Sequence, residues 1–288
     1  MLVTSLIFLA ILLLPGDALA WGPITHIVHG SAVLASLETL PIHLQTLLAA
    51  HPSCYLYGCV GADLIQAKAY TRDVAGHCHR WPTAWRVVDA AATDRERAFV
   101  WGYMTHLAAD ILSHNHFVPG SLVRSFAAPA LGHAYWEARV DAMQPAHHRV
   151  QVRRLLADSF EDCDALIGRV VADTLLSLKT NKRIFDSLLA LSKLDRWQGF
   201  MSRVAARSRF TIGPEVVERY NEVCIESARD LLSRGRESST QSQDPTGQEV
   251  LTRAIALRRR LRALRRSGRL DADLAADIEE TVGFEESA

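Results

Sequence analysis

The chain has little of what usually assigns a sequence quickly. Only 5 of its 288 residues are cysteine, too few and too scattered for a disulfide-built scaffold. Cys54 and Cys59 could pair after export, leaving at least one thiol over, while five buried and reduced cysteines are the equal alternative. Charge of one sign is missing as well. The 32 basic residues balance the 32 acidic ones, so net charge gives the whole molecule no case for nucleic acid or an anionic membrane as partner. No stretch alternates apolar and polar residues over a useful length, which removes β-sheet from the expectation. Long apolar runs are absent except for LVTSLIFLAILLL at residues 2–14, which is short for a permanent membrane span. Ala18-Leu19-Ala20 follows it with the small-x-small pattern of a cleavage site, although no Lys or Arg precedes the run. Residues 1–20 are therefore expected to be a signal peptide, with Trp21 opening the exported chain, secreted or periplasmic; an uncleaved anchor is the alternative.

What remains is helical in pattern, and a sequence that is 49% hydrophobic overall is ample for one sizeable core. Apolar residues recur at helical spacing from Ile27 to Ala50, with Pro41 marking a break. Phe99, Val100, Tyr103, Leu107 and Ile111 carry a second period that stops near Asn115 and Pro119. Further periods run over His133–Met143, Val150–Leu156, Cys163–Leu178, Ile184–Val204 and Pro214–Leu232. The expected fold is all-α, a multi-helix body over 21–234 with long loops around its histidines. Residues 235–248, GRESSTQSQDPTGQ, are polar and read as a linker. Residues 249–288 then form a separate helical tail, basic from Arg253 to Arg266 and acidic from Asp271 to Glu286. Its leucines leave two readings open: an amphipathic helix lying on an anionic surface, or a helix folded back on the acidic end or the body.

Histidine is what the chain has in excess: 12 in all, most of them between Trp21 and His133. In GYMTHLAADILSHNHFVP, His106 and Asp110 are four apart and share a helix face, a donor pair suited to zinc. His114 extends that face by a turn, whereas His116 lies off it unless the helix has ended. His133 and Glu137 repeat the spacing. Asp63 stands in an apolar stretch, where a carboxylate needs a metal, another partner or a helix start to cap. His77 and His79 flank Cys78 just before Trp81. After cleavage, Trp21-Gly22-Pro23-Ile24-Thr25-His26 would present a free amine, a carbonyl and an imidazole together. An α-amine with a pKa of about 7.7 to 8.0 deprotonates readily beside a cation. His29, His147 and His148 read as surface or supporting residues.

Taken in order, Trp21, His26, Asp63, His79, His106, Asp110, His116, His133 and Glu137 resemble the ligand series of the zinc-dependent phospholipase C family and its nuclease relatives. The resemblance covers about residues 21–145. It implies three zinc ions: one on Asp63, His79, His106 and Asp110; one on the Trp21 amine and carbonyl, His26 and the bridging Asp110; one on His116, His133 and Glu137. His77 stays open as a substitute for His79, and His114 for His116, the motif favouring the second of each pair. By the same resemblance Asp63 is the general base of a phosphodiester hydrolase, and His-x3-Glu is the lipid-hydrolysing rather than the nuclease pattern. The implied function is a phospholipase C with a phospholipid substrate and peripheral membrane contact. Two other outcomes stand beside it: a nuclease or phosphatase on the same metals, the one case with a nucleic-acid partner, and a weakly catalytic zinc-binding protein.

Overall fold

The computed structural model describes residues 21–64, 77–171, 203 and 208–281. The expected signal peptide, the Ile184–Val204 period apart from Arg203, and the last residues of the acidic end lie outside these, as does the Cys163–Leu178 period beyond Val171. Among the described residues there is no strand, and the all-α expectation holds.

The body is built around α5, Asp94–Leu112. Thr93 starts it with a reciprocal cap: its hydroxyl accepts from the Glu96 amide at 3.2 Å, while the Glu96 carboxylate accepts from the Ala92 and Thr93 amides at 2.9 and 3.0 Å. From Gly102 onward every residue to Leu112 is buried, so this half of the helix is enclosed on all sides, its polar His106 and Asp110 included. Packed about it are α1 (Pro23–Leu34), α2 (Ile42–Ala50), α3 (Pro52–Gly58), α4 (Trp81–Ala90), α9 (Glu161–Val170) and α10 (Pro214–Arg234). The break marked by Pro41 is where α1 and α2 part. Neither α3 nor α4 is announced by an apolar period. Where α3 crosses α5 the backbones touch: a Cβ on Gly58 would fall on the Phe99 carbonyl, and one on Gly102 on the Tyr55 carbonyl.

The second period does not stop at Asn115. The chain widens into a π-helical turn over Ser113–Phe117 and runs directly into α6, Val118–Arg124, where Pro119 occupies the first turn and needs no amide partner. After a loop come α7 (His133–Met143) and α8 (Ala146–Leu155).

The polar segment after α10 packs against the body in short turns, with Ser238 and Thr240 buried. Backbone and amide groups there accept from two indoles, Trp81 to the Gln243 carbonyl at 2.8 Å and Trp85 to Gln241 at 2.9 Å, so its polar composition serves buried hydrogen bonds. Beyond it, α11 (Gln248–Arg266) folds back on the body. Its Ala254 and Leu261 cluster with Val123 and Phe126 of the α6 end, and Ala275 and Ile278 of α12 (Ala272–Thr281) pack against the same group.

All five cysteines are free and buried. Cys54 does not face Cys59. Its thiol meets that of Cys163 in α9, while Cys59 lies against Gly30 of α1.

Candidate metal centre

Seven of the nine expected ligand residues converge at the inner ends of α1, α5 and α7. His26, on α1, stacks its ring on His106 with centroids 3.8 Å apart, and its Nε2 lies 3.3 Å from Asp110 Oδ1. One turn of α5 places His106 Nε2 3.1 Å from Asp110 Oδ2. His79 enters from the segment before α4, where the Tyr103 hydroxyl of α5 donates to the Cys78 carbonyl and holds the strand of chain in place. Its Nε2 is 3.2 Å from Asp110 Oδ2 and 3.6 Å from Asp63 Oδ1. Asp63, on a 3-10 turn over Gly61–Leu64, completes the group at 3.9 Å from His106 Nε2. Of the two neighbouring histidines, His79 is the one whose Nε2 lies beside Asp63 and Asp110, while His77 Nδ1 accepts the His79 amide at 3.1 Å.

Hydrogen bonding defines which nitrogens face inward. His106 Nδ1 can only donate to the Cys59 carbonyl at 2.9 Å, which leaves Nε2 of a neutral ring as a lone pair. That lone pair stands 3.1 Å from His79 Nε2. His26 Nδ1 and Nε2 and both Asp110 oxygens are buried with no hydrogen-bond partner of good geometry. Orphaned donors and acceptors of this kind are costly unless something else satisfies them, and the three imidazoles and two carboxylates gathered here are a donor set for a borderline cation. Electrostatics agree. Burial, then the neighbouring His106, pushes the His26 imidazole down to about 4, so it stays neutral and able to bind metal. Burial works against ionising Asp110, but His106, His26 and His79 outweigh it and hold the carboxyl well below its usual value.

A second cluster lies at the π turn. His133 Nε2 is 2.8 Å and His114 Nε2 3.5 Å from the same Glu137 oxygen, Oε1, while Oε2 is buried without a partner. Burial pushes the Glu137 carboxyl up to about 8, against the pull of His114. His116, the motif's choice, is exposed and outside the cluster. The reason is the unbroken chain: helix continues through 113–124, so the residue one turn after Asp110 points inward and the one two further on points out.

Trp21, the ninth expected residue, is buried at 1% exposure. Its indole donates to the Ala109 carbonyl at 3.0 Å, next to Asp110, and packs on Phe117 at 4.9 Å between centroids. Asp141 was not foreseen. It accepts from the Thr25 amide and hydroxyl at 2.8 and 3.0 Å, tying α1 to α7, and burial pushes its carboxyl up to about 6 against those bonds. Its signal was there to read, as His133, Glu137 and Asp141 form one four-residue stripe along α7. His29 is buried rather than superficial, its Nε2 donating to Asn221 of α10 at 3.0 Å.

No curated protein and no solved structure matches the chain. The model of one family, zinc dependent phospholipase C, matches residues 25–181, which is more than half of the sequence. That span takes in both clusters from His26 to Glu137, and by it this all-helical chain belongs to the zinc-dependent phospholipase C family.

Proposed function

We propose that the protein is an exported phospholipase C that hydrolyses the phosphodiester of a phospholipid. The observation that carries this reading is the buried meeting of His26, Asp63, His79, His106 and Asp110, with the orphaned atoms of His26 and Asp110 at its centre. His79, His106, Asp63 and Asp110 would hold one zinc, and His26, Asp110 and the freed amine and carbonyl of Trp21 a second. His114, in place of His116, would hold a third with His133 and Glu137. Bound zinc lowers the pKa of water toward about 7 and stabilises the attacking and leaving oxygens of an in-line displacement. Asp110, kept ionised, balances the charge of two sites. Asp63, whose Oδ1 lies 3.6 Å from His79 and 3.9 Å from His106, would take the proton of the attacking water. Glu137 would give up its proton on ligation, because a cation reverses the burial that keeps it protonated.

Export belongs to the same proposal. Trp21 is seated beside Asp110 through Ala109, so cleavage after Ala20 would release an amine at the cluster. Metal analysis of the exported protein, joined to turnover of phosphatidylcholine vesicles and of single-stranded DNA, tests the reading. Two to three zinc ions per chain with lipid turnover supports it. Turnover of DNA alone transfers the protein to the nuclease reading, and zinc with neither activity to the binding one.

A further inference from the structure

The family match ends at residue 181, yet the His114–His133–Glu137 cluster is braced by residues far beyond it. His114 Nδ1 lies 2.7 Å from the Pro245 carbonyl. A carbonyl oxygen only accepts, so the ring carries its proton on Nδ1 and presents Nε2 to Glu137. The neighbouring Asn115 amide donates to the Asp244 carbonyl at 2.9 Å. An Asp244 side chain that accepts from the Thr246 amide and hydroxyl at 3.0 and 2.6 Å shapes the turn between them. Gly247 closes that turn at φ 55, pressed so tightly on the His114 backbone carbonyl that a Cβ would overlap it.

Arg258, the eleventh residue of α11, supports the loop that leads to the other histidine. It is buried at 8% exposure on α11. Its Nη2 reaches the carbonyls of Ala128 at 2.6 Å, Leu131 at 2.8 Å and Ser125 at 3.4 Å. These carbonyls belong to the loop that delivers His133 to the first position of α7. Two independent contacts from one C-terminal segment therefore reach one cluster, one on the His114 ring and one on the loop that precedes His133. Neither reaches the His26–Asp110 group.

We propose that residues 243–258 are a positioning element for the His114–His133–Glu137 site, the Pro245 carbonyl orienting His114 and Arg258 holding the loop that brings in His133. The proposal rests on the zinc reading for its ligand but not for its geometry. A support that orients a metal-binding imidazole is typically worth about 10- to 100-fold in metal affinity. Gly247→Ala and Arg258→Met are thus expected to lose one zinc per chain on dialysis, keep the remainder, and show unchanged far-ultraviolet circular dichroism. Arg258→Lys, which can still donate to the carbonyls, should recover most of the loss, and the exposed Arg253→Ala on the same helix should lose none. In metal-free protein, imidazole 15N spectra should show His114 protonated on Nδ1, changing to mixed tautomers in Gly247→Ala. If Gly247→Ala fails to fold, the contrast between Met and Lys at position 258 decides. Wild-type zinc content in Arg258→Met, or a His114 tautomer unaffected by Gly247→Ala, overturns the proposal. A wild-type protein without zinc sinks the zinc reading instead, and the tautomer measurement still judges this one.

Discussion

Asp63 faces two imidazoles at 3.6 and 3.9 Å, and a carboxylate so placed can bind a cation, accept a proton or do both. Asp63→Asn separates the roles, since an amide oxygen can still face a metal but cannot take the proton. Zinc content is expected to survive while turnover falls by about 10² to 10⁴, the usual worth of a general base. Loss of zinc and fold together would make Asp63 a ligand alone. At the other cluster the two candidate histidines part company through burial. His114→Ala should remove one zinc per chain and His116→Ala none, because only His114 reaches Glu137. Equal zinc in both variants, read by elemental analysis, would put the third site elsewhere.

At the scale of elements, α5 carries His106 and Asp110, and its start is set by Thr93 and Glu96. Removing an N-cap side chain costs about 1 kcal/mol, so Thr93→Ala should lower stability to urea by that amount. Burial works against ionising Glu96, but the Thr93 and Ala92 amides and Arg169 prevail and hold its carboxyl below the ordinary 4.5. A depressed acid stabilises the fold above its unfolded pKa and loses that contribution as pH falls through the folded value. Stability should therefore decline below pH 4.5, and Glu96→Gln should flatten that decline in urea titrations at stepped pH. The α3–α5 crossing makes a different demand. Gly102→Val would force the two backbones apart, with a cost of about 1 to 3 kcal/mol for overpacking, and a melting temperature equal to wild type would show that the crossing can yield.

For the whole molecule, zinc bound on the proposed sites would couple to the fold, because buried groups without partners meet where α1, α5 and α7 converge. Zinc present at about 100 to 1,000 times its dissociation constant adds roughly 3 to 4 kcal/mol per site to the folded state. Chelation should thus lower the melting temperature by about 5 °C or more, restored by zinc, in calorimetry of the full chain. An unshifted melt would mean that the histidines and carboxylates sustain each other without an ion.

Sequence alone determined the features that depend on local spacing. His106 with Asp110 and His133 with Glu137 share a helix face wherever their helices pack, because four residues make about one turn. The all-α class, the break marked by Pro41 and the span of α7 were legible for the same reason. Tertiary structure decided what depends on a distant partner. His114 rather than His116 faces Glu137 because the chain stays helical into α6, with Pro119 accommodated in its first turn. The polar 235–248 segment packs because two indoles and the His114 ring seek acceptors that its carbonyls and amides supply. Asp141 gains its role from Thr25, 116 residues away, a pairing that no local period encodes and that burial alone makes necessary.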